Sequence, residues 1–226
     1  MAPPDVIWQP SPNHGPRRDG LMPRLIVIHY TAMASADAAL ERLCDPSAEV
    51  SAHYLICAKG QIIQMVKEDQ RAWHAGQGEW AGCGDINSRS IGIELDNRGT
   101  HPFAEPQMRA LEALMRGIMD RWDIPPTGVI GHSDMAPGRK TDPGPRFDWV
   151  RLARQGLAAP VGTTPENTPD PTPETFAKAA HAAGFTAPAD HETLLSAVRL
   201  RFAPWRRGPL TADDLAVCAP PYSKWD

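Results

Sequence analysis

The chain has 226 residues, of which 42% are hydrophobic and 22% charged, with a formal net charge of −4 at pH 7. Those figures describe a folded globular protein: one domain of ordinary size with room for a small addition. They give no support to non-specific nucleic-acid binding, which needs a basic footprint, and no apolar run approaches the roughly 18 residues of a membrane span.

The N-terminal stretch MAPPDVIWQPSPNHGPRRDG has no basic segment ahead of an apolar core and no lipobox cysteine. As written it is not a secretory leader, so a cytoplasmic location is expected, with the envelope as the alternative if a leader was removed. Leu25 to Ile28 is a continuous apolar run, as in a strand buried on both faces, and it leads into His29. Ser35 to Leu43 reads as a short helix with Ser35 or Asp37 as its cap and Pro46 beyond its end. Residues 51–58 and 61–66 form a hairpin turning at Lys59-Gly60, followed by a short extended piece over Arg71 to Ala75. The polar, glycine-containing stretch Ala81 to Arg89 is expected to be loop. From Ser90 to Asp96 the pattern alternates, with Ile91, Ile93 and Leu95 on one side and Gly92, Glu94 and Asp96 on the other.

Glu105-Pro106 opens a strong helix in which Met108, Leu111, Leu114, Met115, Ile118, Met119 and Trp122 recur at helical spacing. Arg109, Glu112, Arg116 and Asp120 lie off that stripe. Val129 and Ile130 form a short strand leading into His132, and Phe147 to Gly156 a last helix. The result is an α/β fold over residues 1–157. Residues 158–173 are rich in Pro and Thr and read as a semi-extended linker. Residues 174–226 read as a small helical domain with helices at 174–183, 191–202 and 211–218, whose core would be Leu194, Leu195, Val198, Leu200 and Phe202. A bundle of that size is marginal alone and is expected to dock on the larger domain or on a ligand.

The four cysteines, Cys44, Cys57, Cys83 and Cys218, contain no C-x-x-C pair. That argues against a disulfide scaffold and a zinc knuckle, and makes a reducing compartment the plainer reading. The chemistry concentrates instead in GHSDMAPGRKTDPGPRFDW, Gly131 to Trp149, where Pro137, Pro143 and Pro145 rule out a continuous helix. This segment is expected to be an ordered loop holding His132, Lys140 and Asp142. With His29 added, two imidazoles and a carboxylate suit zinc and leave a fourth position for water. Glu94, on the non-apolar side of its strand, can carry a proton to and from the reacting atoms. Lys140 can stabilise an oxyanion. Read singly, each residue also has a plain structural role: a core histidine, a solvated strand glutamate, a surface ion pair.

Taken together the residues resemble the zinc-dependent type 2 N-acetylmuramoyl-L-alanine amidases, the AmpD- and AmiD-like enzymes related to the peptidoglycan recognition proteins. The resemblance rests on IVIHYT at 26–31, VSAHYLI at 50–56, RAWHAG at 71–76, NSRSIGIELDN at 87–97 and the Gly131–Trp149 segment. It implies a central mixed β-sheet flanked by helices, one Zn2+ per chain on His29, His132 and Asp142, Glu94 as general acid/base and Lys140 as the transition-state lysine. Ala52 and Asp142 stand where some relatives have tyrosine and cysteine. Arg71, Trp73, His74 and Asn87 fall in blocks that resemble groove-lining segments and are candidate substrate contacts, although Trp73 equally suits core packing. His53 reads as structural beside the site. The implied reaction cleaves the amide between N-acetylmuramic or 1,6-anhydro-N-acetylmuramic acid and L-alanine, in peptidoglycan or muropeptides, with no obligate protein partner. The C-terminal helices resemble, loosely, a peptidoglycan-binding domain. A non-catalytic recognition module and a lysin acting on intact murein are the alternative readings.

Overall fold

The computed structural model of the protein describes residues 5–162 and 169–216. Its strands, in chain order, are β1 (Val6–Trp8), β2 (His14–Pro16), β3 (Leu25–Tyr30), β4 (Tyr54–Ile56), β5 (Ile62–Gln64), β6 (Gln70–Ala72), β7 (Ser90–Leu95) and β8 (Val129–Gly131). Its helices are α1 (Ala36–Cys44), α2 (Ile86–Arg89), α3 (Glu105–Trp122), α4 (His132–Met135), α5 (Trp149–Arg154), α6 (Pro173–Ala182), α7 (His191–Phe202) and α8 (Ala212–Ala216). Six strands make one sheet in the order β1-β5-β4-β7-β3-β8, and β2 pairs with β6 in a separate ribbon. Within the large sheet only β4 and β5 run antiparallel, so it is the mixed sheet expected.

The period-2 alternation of β3 decides which layer lies on which face. Ile26 and Ile28 join Ile91, Ile93 and the apolar stripe of α3, Met108, Leu111, Met115 and Ile118, in one buried cluster. Leu25 and Val27 point the other way, into a cluster with Ile130, Phe176, Phe185, Leu194 and Val198. A third cluster gathers Leu43 of α1 with Leu55, Ile63 and Met65 near the β4–β5 end. His29 shares the side of Leu25 and Val27, so it emerges where the second and third clusters part.

Local chemistry accounts for most boundaries. Ser35 accepts a hydrogen bond from the backbone N–H of Ala38, 3.2 Å away, capping α1 as its position suggests. The hairpin turns at Gly60, whose φ of +87° and close approach to the Pro106 carbonyl, 2.7 Å from an added Cβ, leave no room for a side chain. Its paired strands are shorter than the sequence implies, three residues each.

Several expectations need correction. The stretch expected as loop over 81–89 closes into α2 at Ile86, and the ligand-bearing segment opens as α4 before Pro137. Both are single turns, too short to show a hydrophobic period. Glu112, off the apolar stripe of α3, is nevertheless 9% exposed and pairs with Arg151. The linker begins with two buried residues, Ala158 and Ala159, while 163–168 lie outside the described residues. The last expected helix is described as Ala212–Ala216, and Cys218 lies outside the described residues. Leu200 is half-buried, and the core that α6 and α7 form is continuous with the sheet face through Leu25, Val27 and Ile130.

Candidate active site

His29 is the penultimate residue of β3 and stands opposite Glu94 of β7 in the parallel register. His132 follows β8 directly, which pairs with the other side of β3. Three functional side chains therefore gather at the carboxyl ends of three adjacent parallel strands, where open α/β sheets leave a crevice. Asp142 arrives on the loop beyond α4, and its carbonyl accepts a 3.0 Å hydrogen bond from the Ser133 N–H that ties the loop back to its start.

The three candidate ligands meet. His29 Nδ1 lies 2.8 Å from Asp142 Oδ2, His132 Nδ1 3.1 Å from the same oxygen, and the two Nδ1 atoms are 3.0 Å apart. All three residues are buried, with exposures of 2%, 3% and 7% for His29, His132 and Asp142. His132 Nε2 is 2.9 Å from the carbonyl of Ala75, which can only accept, so the ring carries its proton there and turns an unprotonated Nδ1 inward. Two imidazole nitrogens and a carboxylate oxygen are a donor set that fits zinc, and three protein ligands are the number catalytic zinc sites use. Among the described residues this is the one group of histidine, cysteine or acidic side chains assembled closely enough to hold a metal ion.

Electrostatics follow from burial. Burial and the neighbouring His132 lower the His29 pKa to about 4, against the opposing pull of Asp142, so the ring is neutral near pH 7. Burial alone would raise the Asp142 carboxyl, but the imidazoles of His132 and His29 set against it outweigh burial and hold the group well below the carboxylate range. Glu94 goes the other way. Burial, reinforced by the charge on Asp142 and opposed by Lys140, pushes its pKa up to about 8. Its Oε2 is buried with no hydrogen-bond partner.

A cleft of about 580 Å3 opens over these groups, lined by His29, Glu94, His132, Lys140, Asp142 and Trp73. Lys140 and Thr141 are exposed at its rim. A second, larger groove of about 750 Å3 runs along α7 and contains none of the ligands, but it also touches Thr141.

The four residues read as substrate contacts separate. Trp73 and His74 line the cleft. Arg71 is not part of its lining and instead sits 3.3 Å from Asp85, an ion pair that occupies its guanidinium. Asn87 is 6% exposed and also outside the lining; its Oδ1 accepts from the backbone N–H groups of His74 and Ala75 at 3.0 and 2.8 Å. Both corrections have one cause: a polar residue beside a groove in sequence faces the groove or props its wall, and spacing does not distinguish the two. His53 is structural, with Nδ1 accepting from the Gly92 N–H at 3.0 Å. The Ala75 carbonyl and the Ser90 hydroxyl went unremarked in the sequence. The alternation of β7 was the available signal, since it puts Ser90 and Gly92 on the side of Glu94.

Residues 19–145, which include all five candidate catalytic and metal-ligating residues, match the family model described as N-acetylmuramoyl-L-alanine amidase. Over 152 residues the chain is 43% identical to the N-acetylmuramoyl-L-alanine amidase AmiD of Escherichia coli K12, a stretch covering 60% of this chain and 54% of AmiD. Over 160 residues it is 38% identical to the 1,6-anhydro-N-acetylmuramyl-L-alanine amidase AmpD of the same organism, covering 63% of this chain and 87% of AmpD. Among solved structures it resembles E. coli AmiD complexed with the substrate anhydro-N-acetylmuramic acid-L-Ala-D-γ-Glu-L-Lys, with TM-score 0.76, 33% identity, and coverage of 88% of this chain and 89% of that one. AmpDh3 from Pseudomonas aeruginosa matches with TM-score 0.77 and 30% identity over 93% of both chains. The chain belongs to the N-acetylmuramoyl-L-alanine amidase family.

Proposed function

We propose that this protein is a zinc-dependent hydrolase of the amide between the lactyl group of N-acetylmuramic acid, in its 1,6-anhydro form by preference, and the L-alanine of the stem peptide. The observation that carries this reading is the convergence of His29 Nδ1, His132 Nδ1 and Asp142 Oδ2 beneath a cleft that also holds Glu94. Zinc held by these three side chains would supply Lewis acidity toward the scissile carbonyl and make a water easier to deprotonate. Glu94 takes a proton from the attacking water, and its burial favours the protonated form that this transfer creates, while the charge of a bound cation would keep it ionised beforehand. As the new C–O bond forms and the C–N bond breaks, Glu94 returns that proton to the alanine nitrogen. The products are a lactyl carboxyl group and a peptide with a free amine. Lys140, at the rim, offsets negative charge on the carbonyl oxygen. Trp73 offers an aromatic wall to the sugar or the first peptide unit.

The solved complexes of AmiD and AmpDh3 contain anhydro-muropeptides, and the cleft here is of a size for such a ligand. No helix among the described residues is long and apolar enough to cross a membrane. The test is to incubate zinc-loaded protein with soluble anhydro-muropeptide and, separately, with insoluble murein, and to measure new N-terminal alanine. Cleavage of the soluble substrate at the higher rate supports the reading, and cleavage of murein alone would make the protein a lysin. No new amine from either substrate rejects the assignment.

A further inference from the structure

Both imidazoles of the metal site are backed by consecutive residues of one segment. His29 Nε2 lies 3.0 Å from His74 Nδ1, and His132 Nε2 lies 2.9 Å from the carbonyl of Ala75. The segment is itself clamped, because Asn87 Oδ1 accepts from both of its backbone N–H groups.

The proton positions along this chain are determined. The Ile86 carbonyl can only accept, so the Ser90 hydroxyl, 2.6 Å away, gives its proton there. Ser90 Oγ must then accept from His74 Nε2, at 3.2 Å. A neutral His74 with its proton on Nε2 has a bare Nδ1, which accepts from His29 Nε2. His29 is thereby left with an unprotonated Nδ1 facing Asp142 and His132.

An independent observation shows that the fold makes room for this arrangement. A Cβ added to Gly92 would lie 2.5 Å from Cγ of the His74 ring. Gly92 is the β7 residue between Ser90 and Glu94, on the same side of the sheet, paired with Val27. The ring lies across the bare backbone of Gly92 to reach from Ser90 to His29.

We propose that His74, Ser90, Asn87 and Gly92 are positioning residues that fix His29 and His132 in the tautomer and orientation that present Nδ1 to a metal ion, His74 acting as a relay between Ser90 and His29 rather than as a substrate contact. The proposal rests on the zinc-site reading above. It extends that reading to four residues, none of which touches the metal.

The experiment measures zinc affinity of the full chain by competition with a chromophoric chelator. It also records the histidine 15N–1H spectrum of the zinc-loaded protein, in which His74 should carry its proton on Nε2 and none on Nδ1. His74→Leu should weaken zinc binding about 10–100-fold, the usual effect of losing such an outer hydrogen bond. His74→Asn, which can put an amide oxygen near the position of Nδ1, should recover most of it. Gly92→Ala should weaken zinc in the parent but add nothing in a His74→Ala background, because its effect passes through the ring. If His74→Leu does not fold, Ser90→Ala carries the test, since it removes one hydroxyl and frees His74 to switch tautomer, with a shifted 15N pattern expected. Unchanged zinc affinity in folded His74→Leu, an unshifted spectrum in Ser90→Ala, or equal effects of Gly92→Ala in both backgrounds would each overturn the proposal. A parent protein that binds no zinc would instead reject the site assignment on which it rests.

Discussion

Glu94, the proposed acid/base, illustrates how a residue placed for chemistry works against the stability of its own fold. With its pKa pushed up to about 8, the folded protein keeps a proton there that the unfolded chain releases above about pH 4.5. Folding therefore takes up a proton, and the stability of the zinc-free protein falls as pH rises through that window. Glu94→Gln removes the titration. The zinc-free variant is expected to melt several degrees above the parent at pH 8, with the gap closing toward pH 4.5, as differential scanning calorimetry would show. The same substitution should leave zinc affinity near the parent value while lowering kcat by about 10²–10⁴. An active Glu94→Gln variant would remove the residue from the mechanism. A bound dication draws the Glu94 pKa down from its zinc-free value, so the acid limb of the kcat profile should lie below about 8. Lys140 is exposed, so its replacement should not perturb the fold. Lys140→Ala is expected to lower kcat about 10²–10³-fold with zinc binding and Tm unchanged.

At the scale of elements, the proposed ligand His132 depends on α7, which begins 59 residues later in the chain. Arg201 of α7 is 3% exposed, lies with its guanidinium carbon 3.2 Å from the Trp149 ring centroid, and donates to the Val129 carbonyl at 3.1 Å. Its Nε is 3.9 Å from Asp134 Oδ2, the oxygen that accepts from the Gly131 N–H at 2.8 Å. The turn that opens with His132 is thus held from below by α7. Arg201→Met keeps the stem and removes the charge, leaving Asp134 buried without its cation. The expected cost is about 3–5 kcal/mol in denaturant unfolding, with zinc affinity reduced as well; a variant with wild-type stability would deny α7 that role. None of this could be read from the sequence, because Arg201 sits on a helix whose pattern invites a surface assignment. The elements that were legible have strong local signals: β7 by its alternation, α3 by its long apolar stripe, α1 by its cap. His29, Glu94, His132, Lys140 and Asp142 could be singled out as candidates because each lies at a strand end or in a proline-rich loop, and the structure brings them to one cleft. Asn87 and Arg71 were not, since their partners, the 74–75 backbone and Asp85, are set by how loops cross rather than by spacing.

For the whole molecule, the question is whether the C-terminal helices serve the substrate or the fold. Phe176, Phe185, Leu194 and Val198 share one buried cluster with Leu25, Val27 and Ile130 of the sheet and with Met135 and Ala136, which adjoin the loop carrying Asp142. Without them one face of β3 and β8 would be open to water, and an exposed apolar patch of that kind favours aggregation. An anchoring domain joined by a linker would leave the catalytic fold intact when removed. A bracing layer would not. Phe176, fully buried, tests this without cutting the chain. Phe176→Ala is expected to cost about 3–5 kcal/mol, equivalent to a fall in Tm of roughly 6–20 °C, with weaker zinc binding because the floor under α4 loosens. Deletion of residues 158–226 should go further and yield insoluble protein or protein with little zinc affinity. If the truncated protein stays soluble, binds zinc as the full chain does and cleaves soluble muropeptide at the same rate while losing murein, the helices are an anchor. The continuous core predicts the opposite order: fold and metal fail first, and substrate preference is lost only as a consequence.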